Sequence, residues 1–153
     1  MPVQSRKHSL TLESLIESMV FGPLSTISGD ETNTPLELIA MIDNGMSGKC
    51  LNKLQARVPV DLLSQLLDCS ENDLSSLFSK RLNKLQTGNA YDFSLLWYEL
   101  REFFNDDHSL MREWIFTPNP AFSGEYPRNL MATIEGRKLI RKCIGLMQSG
   151  DFS

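Results

Sequence analysis

Four consecutive side chains in the C-terminal half could bind a metal ion: Asn105, Asp106, Asp107 and His108. Adjacent residues at the start of a helix point in different directions, and the only other histidine, His8, lies near the N-terminus. Helix capping and the helix dipole explain the two aspartates without a metal. Because the ligand spacing of a metal site is missing, we predict a helix start here and no metal.

The stretch GMSGKC, residues 45–50, contains the Gly-Lys pair of a phosphate-binding loop. The first glycine of that motif would fall at Asp43, and Cys50 stands where the motif needs Ser or Thr. No predicted strand precedes the stretch. We therefore predict a turn that begins a helix.

Nucleophilic catalysis has little support in the sequence. Cys50, Cys69 and Cys143 are odd in number and widely spaced, which indicates reduced thiols rather than disulfides or a zinc site. Cys143 falls on the apolar face of a predicted helix, where a buried structural thiol is the ordinary case. No GxSxG motif or distinctive carboxylate pair occurs. The prediction is a protein that is not an enzyme and needs no cofactor.

Two basic clusters could bind an anion: Lys80, Arg81 and Lys84, and then Arg137, Lys138, Arg141 and Lys142 on what we expect to be the outer side of the last helix. Each cluster is compatible with an ordinary solvated face and with contact to phosphate or an acidic partner. The whole chain has a net charge of −4 and a pI of about 5.2, which disfavours a purely electrostatic nucleic-acid binder.

The composition, 41% hydrophobic and 22% charged over 153 residues, is typical of a globular protein. Apolar runs are far shorter than a membrane span, and the N-terminus has no apolar signal core. We expect a cytoplasmic protein without membrane contact.

Apolar spacing predicts helices along most of the chain and no strand, so the predicted fold class is all-α. The first helix has Ser9 or Thr11 as its cap, ends at Phe21-Gly22-Pro23, and is followed by a polar linker. Pro35, capped by Thr34, begins a series of short helices that runs to Gln86. The predicted inward positions are Leu12, Leu15, Ile16, Met19 and Val20, then Leu51, Leu54 and Val58, then Leu62, Leu63, Leu66 and Leu67, then Leu74, Leu77 and Phe78. Ser47 and Ser70 are predicted caps within the series.

Thr87-Gly88-Asn89 is predicted to break the chain, after which Phe93, Leu96, Trp97, Leu100 and Phe104 follow helical spacing. A last helix is expected over 134–147. Its inward residues are predicted to be Leu139, Ile140, Cys143, Ile144 and Met147. The domain prediction is an N-terminal helix and linker over 1–34, a helical core over 35–86, and a C-terminal domain over 87–153.

Between the last two long helices lies an irregular link, residues 114–136, with three prolines and two glycines. We predict a rigid non-helical connection that Trp114, Phe116, Phe122 and Tyr126 pack down. The block WIFTPNPAFSGEYPRNLMATIEGRKLI resembles the C-terminal signature of the Xre/MbcA/ParS-type antitoxins. The positions that carry the resemblance are Trp114, Pro118, Asn119, Gly124, Pro127, Leu130, Thr133 and Gly136. Residues 45–82 resemble the degenerate Xre-like helix-turn-helix core of the same family.

The resemblance implies an antitoxin that binds a RES-domain toxin, a protein that consumes NAD or transfers from it. It implies a homodimer, and the helix-turn-helix of many members also binds operator DNA. The toxin-binding residues expected from this resemblance lie on the link, the outer side of the last helix and the tail: Asn119, Gly124, Arg128, Arg137, Arg141, Gln148, Asp151, Phe152 and Ser153. Tail residues 148–153 could occlude the toxin's NAD pocket, with an acidic group toward a pyrophosphate site and Phe152 in a ring slot. An ordinary frayed terminus is the alternative.

The helix expected to enter the major groove, ENDLSSLF, departs from the needs of DNA binding because Glu71 and Asp73 precede any basic residue. Basic and acidic residues balance between Pro35 and Gln86. We therefore predict weak DNA binding by the free protein. The candidate contacts are Asn72, Ser75, Ser76, Ser79, Lys80, Arg81 and Lys84. A stand-alone helix-turn-helix regulator or adaptor without a toxin is the alternative function, and an unrecognised enzyme is a third.

Overall fold

The structure, a computed structural model, describes residues 11–24 and 33–150 and is all-α within those ranges, as predicted. Its α-helices are α1 (Leu12–Phe21), α2 (Pro35–Asn44), α3 (Lys49–Leu54), α4 (Val60–Leu66), α5 (Glu71–Leu77), α6 (Lys84–Phe103), α7 (His108–Ile115), α8 (Pro127–Leu130) and α9 (Ile134–Ser149), with a 3-10 helix at Pro120–Phe122. The predicted cap Ser9 and most of the predicted linker lie outside the described residues.

Helix α1 forms as its sequence predicts. The Thr11 side chain accepts a hydrogen bond from the Ser14 N–H at 3.1 Å, and Gly22 ends the helix. All five predicted inward residues of this helix are buried. The helix packs chiefly against α6, the longest helix among the described residues. An N-terminal segment is thus part of the core.

Helix α2 forms locally but contributes no buried residue. Thr34 caps it and Pro35 begins it, as predicted. Leu38, Met41 and Ile42 are only partly buried against the core, while Leu36 is 78% exposed and Ile39 is 54% exposed. Local signals start this helix, which then packs at the edge of the core rather than inside it.

The short helices α3 to α5 follow the predicted series with one correction. Gly48, rather than Ser47, is the N-cap of α3, because the Ser47 backbone is held in an isolated bridge with Arg81. Ser70 caps α5 as predicted, through a hydrogen bond from the Asp73 N–H at 3.1 Å. A short turn joins α4 to α5. The assignment of this region as a helix-turn-helix stays a prediction.

The predicted break at residues 87–89 is wrong, because α6 runs through it. Asn83 and Gln86 form a reciprocal capping box that starts the helix earlier. The Thr87 hydroxyl is buried and accepts a hydrogen bond from the Met46 N–H at 3.2 Å, and Asn89 accepts one from Arg137 at 2.9 Å. These tertiary contacts outweigh the low helix propensity of the three residues.

One contiguous apolar cluster extends from α1 to α9 and includes residues of all three predicted domains. The boundary predicted between residues 86 and 87 falls inside α6. The division into three domains stays a prediction. Helix α6 therefore packs against both the N-terminal helix α1 and the C-terminal helix α9.

Candidate functional site

The irregular link between α7 and α9 is folded back on itself. The Asn119 side chain caps the 3-10 helix by accepting from the Ala121 N–H at 2.9 Å. Its backbone N–H donates to the Glu125 carbonyl at 3.1 Å, and the Gly124 N–H donates to the Asn119 carbonyl at 3.0 Å. Gly124 has a φ of 85°, in the region that favours glycine. The predicted residues Asn119 and Gly124 therefore shape the link, and the exposed Gly124 lies at its surface.

Aromatic rings hold the link against α6 and α7, as the sequence predicts for three of the four residues. Trp114 contacts Phe104, with ring centroids 5.8 Å apart, and Phe122, at 6.3 Å. Phe116 is also partly buried. Tyr126 is the exception, since it is 40% exposed and does not pack the link down. The link also contains two short helical segments, so the prediction of a wholly non-helical connection is wrong in part.

Arg128 on α8 ties the link to the N-terminal half of the chain. Its guanidinium lies 5.0 Å from the centroid of the Phe116 ring and forms an ion pair with Asp61 of α4. The side chain is only 20% exposed. A residue expected at the toxin contact is thus engaged within the protein, which limits what it can offer to a partner.

The start of α9 depends on very close packing. Thr133 caps the helix by accepting from the Gly136 N–H at 3.0 Å. A Cβ atom at Gly136 would lie closer than 3.0 Å to the backbone carbonyl of Leu130. Glycine is therefore required here because α8 and α9 touch backbone to backbone.

Arg137 does not lie on the outer side of α9, and this expectation is wrong. Its side chain is 0% exposed and donates to Asp92 at 2.6 Å, to Asn89 at 2.9 Å and to the Met131 carbonyl at 3.0 Å. The hydrogen bonds to α6 satisfy a charge that would otherwise be costly to bury. Residue spacing did not predict the burial of Arg137, because basic residues that are clustered on a helix are usually exposed.

Arg141, one helical turn later, joins the same network at a more accessible position. Its Nε donates to Glu99 at 2.9 Å and its Nη1 lies 3.0 Å from an Asp92 oxygen. The side chain is 27% exposed. The predicted residues Arg137 and Arg141 are therefore brought together, and both attach α9 to α6.

The outer side of α9 presents Lys138 and Lys142 together with exposed apolar residues. Leu139, predicted to face inward, is 51% exposed, and Leu146 is 43% exposed. The Leu139 prediction is wrong because the inward stripe of α9 is narrower than its apolar spacing suggests; it centres on Ile140 and Ile144. Cys143 is half-buried, and burial raises the pKa of its thiol. The thiolate form, which a nucleophile needs, is thereby disfavoured.

The end of α9 contributes Gln148, which is exposed and lines a groove between α6 and α9. The other predicted tail residues, Asp151, Phe152 and Ser153, lie outside the described residues. Of the nine expected toxin-binding residues, the structure thus places Gln148 and Gly124 at the surface, Arg137 in the core, and the other three described residues between these extremes.

Residues 105–108, the possible metal ligands of the sequence, include two aspartates with structural roles. Asp107 caps α7 as predicted, accepting from the Leu110 N–H at 3.1 Å. Asp106 accepts from Arg101 at 2.9 Å, and this hydrogen bond holds the pKa of the carboxyl below its usual value. Over the two described ranges, no cluster of three potential metal-binding side chains occurs.

Arg101 is a residue that the sequence analysis missed. It is 2% exposed and donates to the Met19 carbonyl at 2.7 Å and to the Gly22 carbonyl, both at the end of α1. The one sequence signal was its place beside Leu100 in the strongest helical pattern, where a charged residue can be buried only if it is paired.

The residues predicted for DNA contact lie on or after α5. Asn72, Ser75, Ser76, Ser79 and Lys80 are exposed. Arg81, by contrast, donates to the carbonyls of Asn44 and Gly45, at 2.9 and 3.0 Å, and Lys84 pairs with Asp43 at 3.0 Å. Two of the three basic residues of this cluster thus have partners within the chain.

Comparison with known families adds one match. Residues 99–150 match the family model described as the antitoxin Xre/MbcA/ParS C-terminal toxin-binding domain, over about a third of the chain. The match begins within α6 and ends just after α9, and it contains the link and both buried arginines. No curated protein matches the chain. No helix in the described part of the chain is long and apolar enough to cross a membrane. Residues 99–150 are therefore similar to the C-terminal toxin-binding domain of the Xre/MbcA/ParS antitoxins.

Proposed function

We propose that this protein is the antitoxin of a toxin–antitoxin pair and neutralises a RES-type toxin by direct binding and occlusion of its active site. The toxin-binding domain match over residues 99–150 carries this proposal. The RES identity comes from the sequence resemblance. The toxin would consume NAD or transfer ADP-ribose from it.

The structure supports a binding role for the C-terminal region because its irregular part is held rigidly. The folded link, the aromatic contacts around Trp114 and the arginine network of α9 leave few groups to order on association. A preorganised surface binds more tightly than a mobile one of the same composition.

Within this proposal, the tail from Gln148 to Ser153 enters the NAD pocket of the toxin. Gln148 and Ser149 are the exposed last residues of α9, so this part of the tail is helical. A pocket built for NAD offers donors to a pyrophosphate and an apolar slot for a ring, which suit Asp151 and Phe152.

Co-expression with the adjacent gene tests the function. We expect the two gene products to co-purify. Expression of the adjacent gene alone should stop growth, and co-expression of this protein should restore growth. A neighbouring product that neither binds this protein nor affects growth contradicts the proposal. Deletion of residues 148–153 tests the tail separately: we expect binding to persist while growth rescue is lost. Full rescue by the truncated protein excludes the tail as the plug.

A DNA-binding role is proposed only in a weak form, for regulation of the protein's own operon as a dimer. Exposed Asn72, Ser75, Ser76, Ser79 and Lys80 on and after α5 would make the contacts. Arg81 and Lys84 contribute less because they are paired. Mobility-shift assays over a salt series test this, and nanomolar binding by the free protein at high salt contradicts it. Such binding without any toxin partner would favour the alternative, a stand-alone regulator.

A further inference from the structure

No contact within the described part of the protein requires a glycine at position 145 of helix α9. Glycine in a helix is less stable than alanine there, because its backbone loses more freedom on folding. A Cβ atom at Gly145 would meet nothing within 4 Å, whereas one at Gly136 of the same helix would strike the Leu130 carbonyl. Gly145 also lacks the positive φ that requires glycine. The missing side chain therefore creates space that the isolated chain does not use.

That space opens onto a groove between α6 and α9 with a volume of about 280 Å³, large enough for more than a bound water. Its lining residues are Glu99, Glu102, Arg141, Ile144, Gly145 and Gln148. Every one of them lies within residues 99–150, the part that matches the toxin-binding domain. Both walls of the groove thus belong to the matched domain.

The charge in the groove is unbalanced. Glu99 accepts a hydrogen bond from Arg141 at 2.9 Å, which accounts for one carboxylate. The Glu102 side chain is exposed and has no hydrogen bond or ion pair with any residue in the described ranges. An added cation would complete the pairing, and an added anion would be repelled.

We propose that this groove receives an arginine or lysine side chain of the toxin, and that the toxin backbone packs directly over Gly145. The inference rests on the proposed function and deepens it by specifying the chemistry of the partner. The cation pairs with Glu102 while its aliphatic stem lies along Ile144. The open side of Gly145 admits the main chain that carries it.

Affinity measurements with the full-length protein and the purified product of the adjacent gene test the groove. We expect Gly145→Ala to weaken binding about tenfold and Gly145→Leu about a hundredfold, because each fills the space a partner needs. Gly145→Ala should at the same time raise the melting temperature, since alanine favours the helix. Gly88→Ala is the matched control: it lies in α6, its Cβ has ordinary room at 3.7 Å from Ile42, and it should leave binding unchanged.

Glu102→Gln should weaken binding about tenfold and reduce its salt dependence, whereas Glu113→Gln, another exposed glutamate of the matched domain, should leave both unchanged. If the wild-type protein binds and the Gly145 and Glu102 variants bind equally well, the groove proposal is overturned and the antitoxin function stands. A lower melting temperature for Gly145→Ala also overturns it, since Gly145 then has a role within the chain. If the wild-type protein does not bind, the proposed function fails and the groove proposal with it.

Discussion

The two fully buried arginines of the C-terminal region, Arg101 and Arg137, solve the same problem in opposite ways. Arg101 finds its carboxylate nearby in sequence, at Asp106, and its carbonyls far away, at Met19 and Gly22. Arg137 finds its carboxylate far away, at Asp92, and its carbonyl nearby, at Met131. The first attaches α1 to the matched domain, and the second attaches α9 to α6.

Each arginine therefore stabilises a different part of the molecule. Loss of Arg101 removes the hydrogen bonds that connect α6 with the end of α1, a helix that lies outside the matched domain. Loss of Arg137 instead loosens α9 itself, which carries the proposed contact with the toxin. Both are buried charges held by several hydrogen bonds, so truncating either leaves groups without partners.

The largest expected effect is that of Arg137→Ala. Because the side chain is fully buried and makes three hydrogen bonds, we expect a loss of about 3–5 kcal/mol in unfolding free energy. Urea unfolding measures it. The neighbouring exposed Lys138→Ala should change stability by less than about 0.5 kcal/mol. Equal effects for both residues would contradict the buried network.

Arg101→Ala should cost somewhat less, about 3 kcal/mol, because Asp106 is 37% exposed and can regain water. The loss of stability should be largest near α1. Hydrogen exchange should accelerate first in the amides of α1, while those of α9 remain protected. Faster exchange in α9 than in α1 would remove the proposed difference between the two arginines.

Gly136→Ala tests the close contact that lets Arg137 reach α6. The added Cβ would collide with the Leu130 carbonyl, and we expect a loss of about 1–3 kcal/mol, as for other overpacked sites. Gly88→Ala, whose Cβ has room, should be neutral or stabilising. A neutral Gly136→Ala would mean that α8 and α9 separate without cost.

The smallest expected effect is a pH dependence of stability that arises from the ion pair between Arg101 and Asp106. Its hydrogen bond lowers the pKa of Asp106 from the ordinary value of 3.8. The stability that this carboxylate contributes is therefore fully present above pH 3.8 and is lost as the pH falls below 3.8 through the folded-state pKa. Asp106→Asn should flatten the acid limb of the stability curve in thermal melts. An unchanged acid limb would show that Asp106 gains nothing from Arg101.

Much of the fold follows from local patterns. Thr11, Thr34, Ser70 and Asp107 cap their helices as predicted, because a cap needs only a side-chain oxygen and the next turn of backbone. The candidate site was predictable as a region, since its proline and glycine spacing carried the family resemblance. Its geometry was not, and Arg137, Leu139 and Tyr126 all lie at depths that periodicity did not indicate.

Local sequence patterns were sufficient to predict the all-α class, most of the helix starts, and the block that resembles a toxin-binding domain. These properties depend on neighbours along the chain. Contacts between distant parts of the chain determine that residues 87–89 continue a helix, that Arg137 is buried, and that Gly145 faces an open groove. In each case, the deciding partner is a group distant in sequence: Met46 for Thr87, Asp92 for Arg137, and Glu99 and Glu102 across the groove from Gly145.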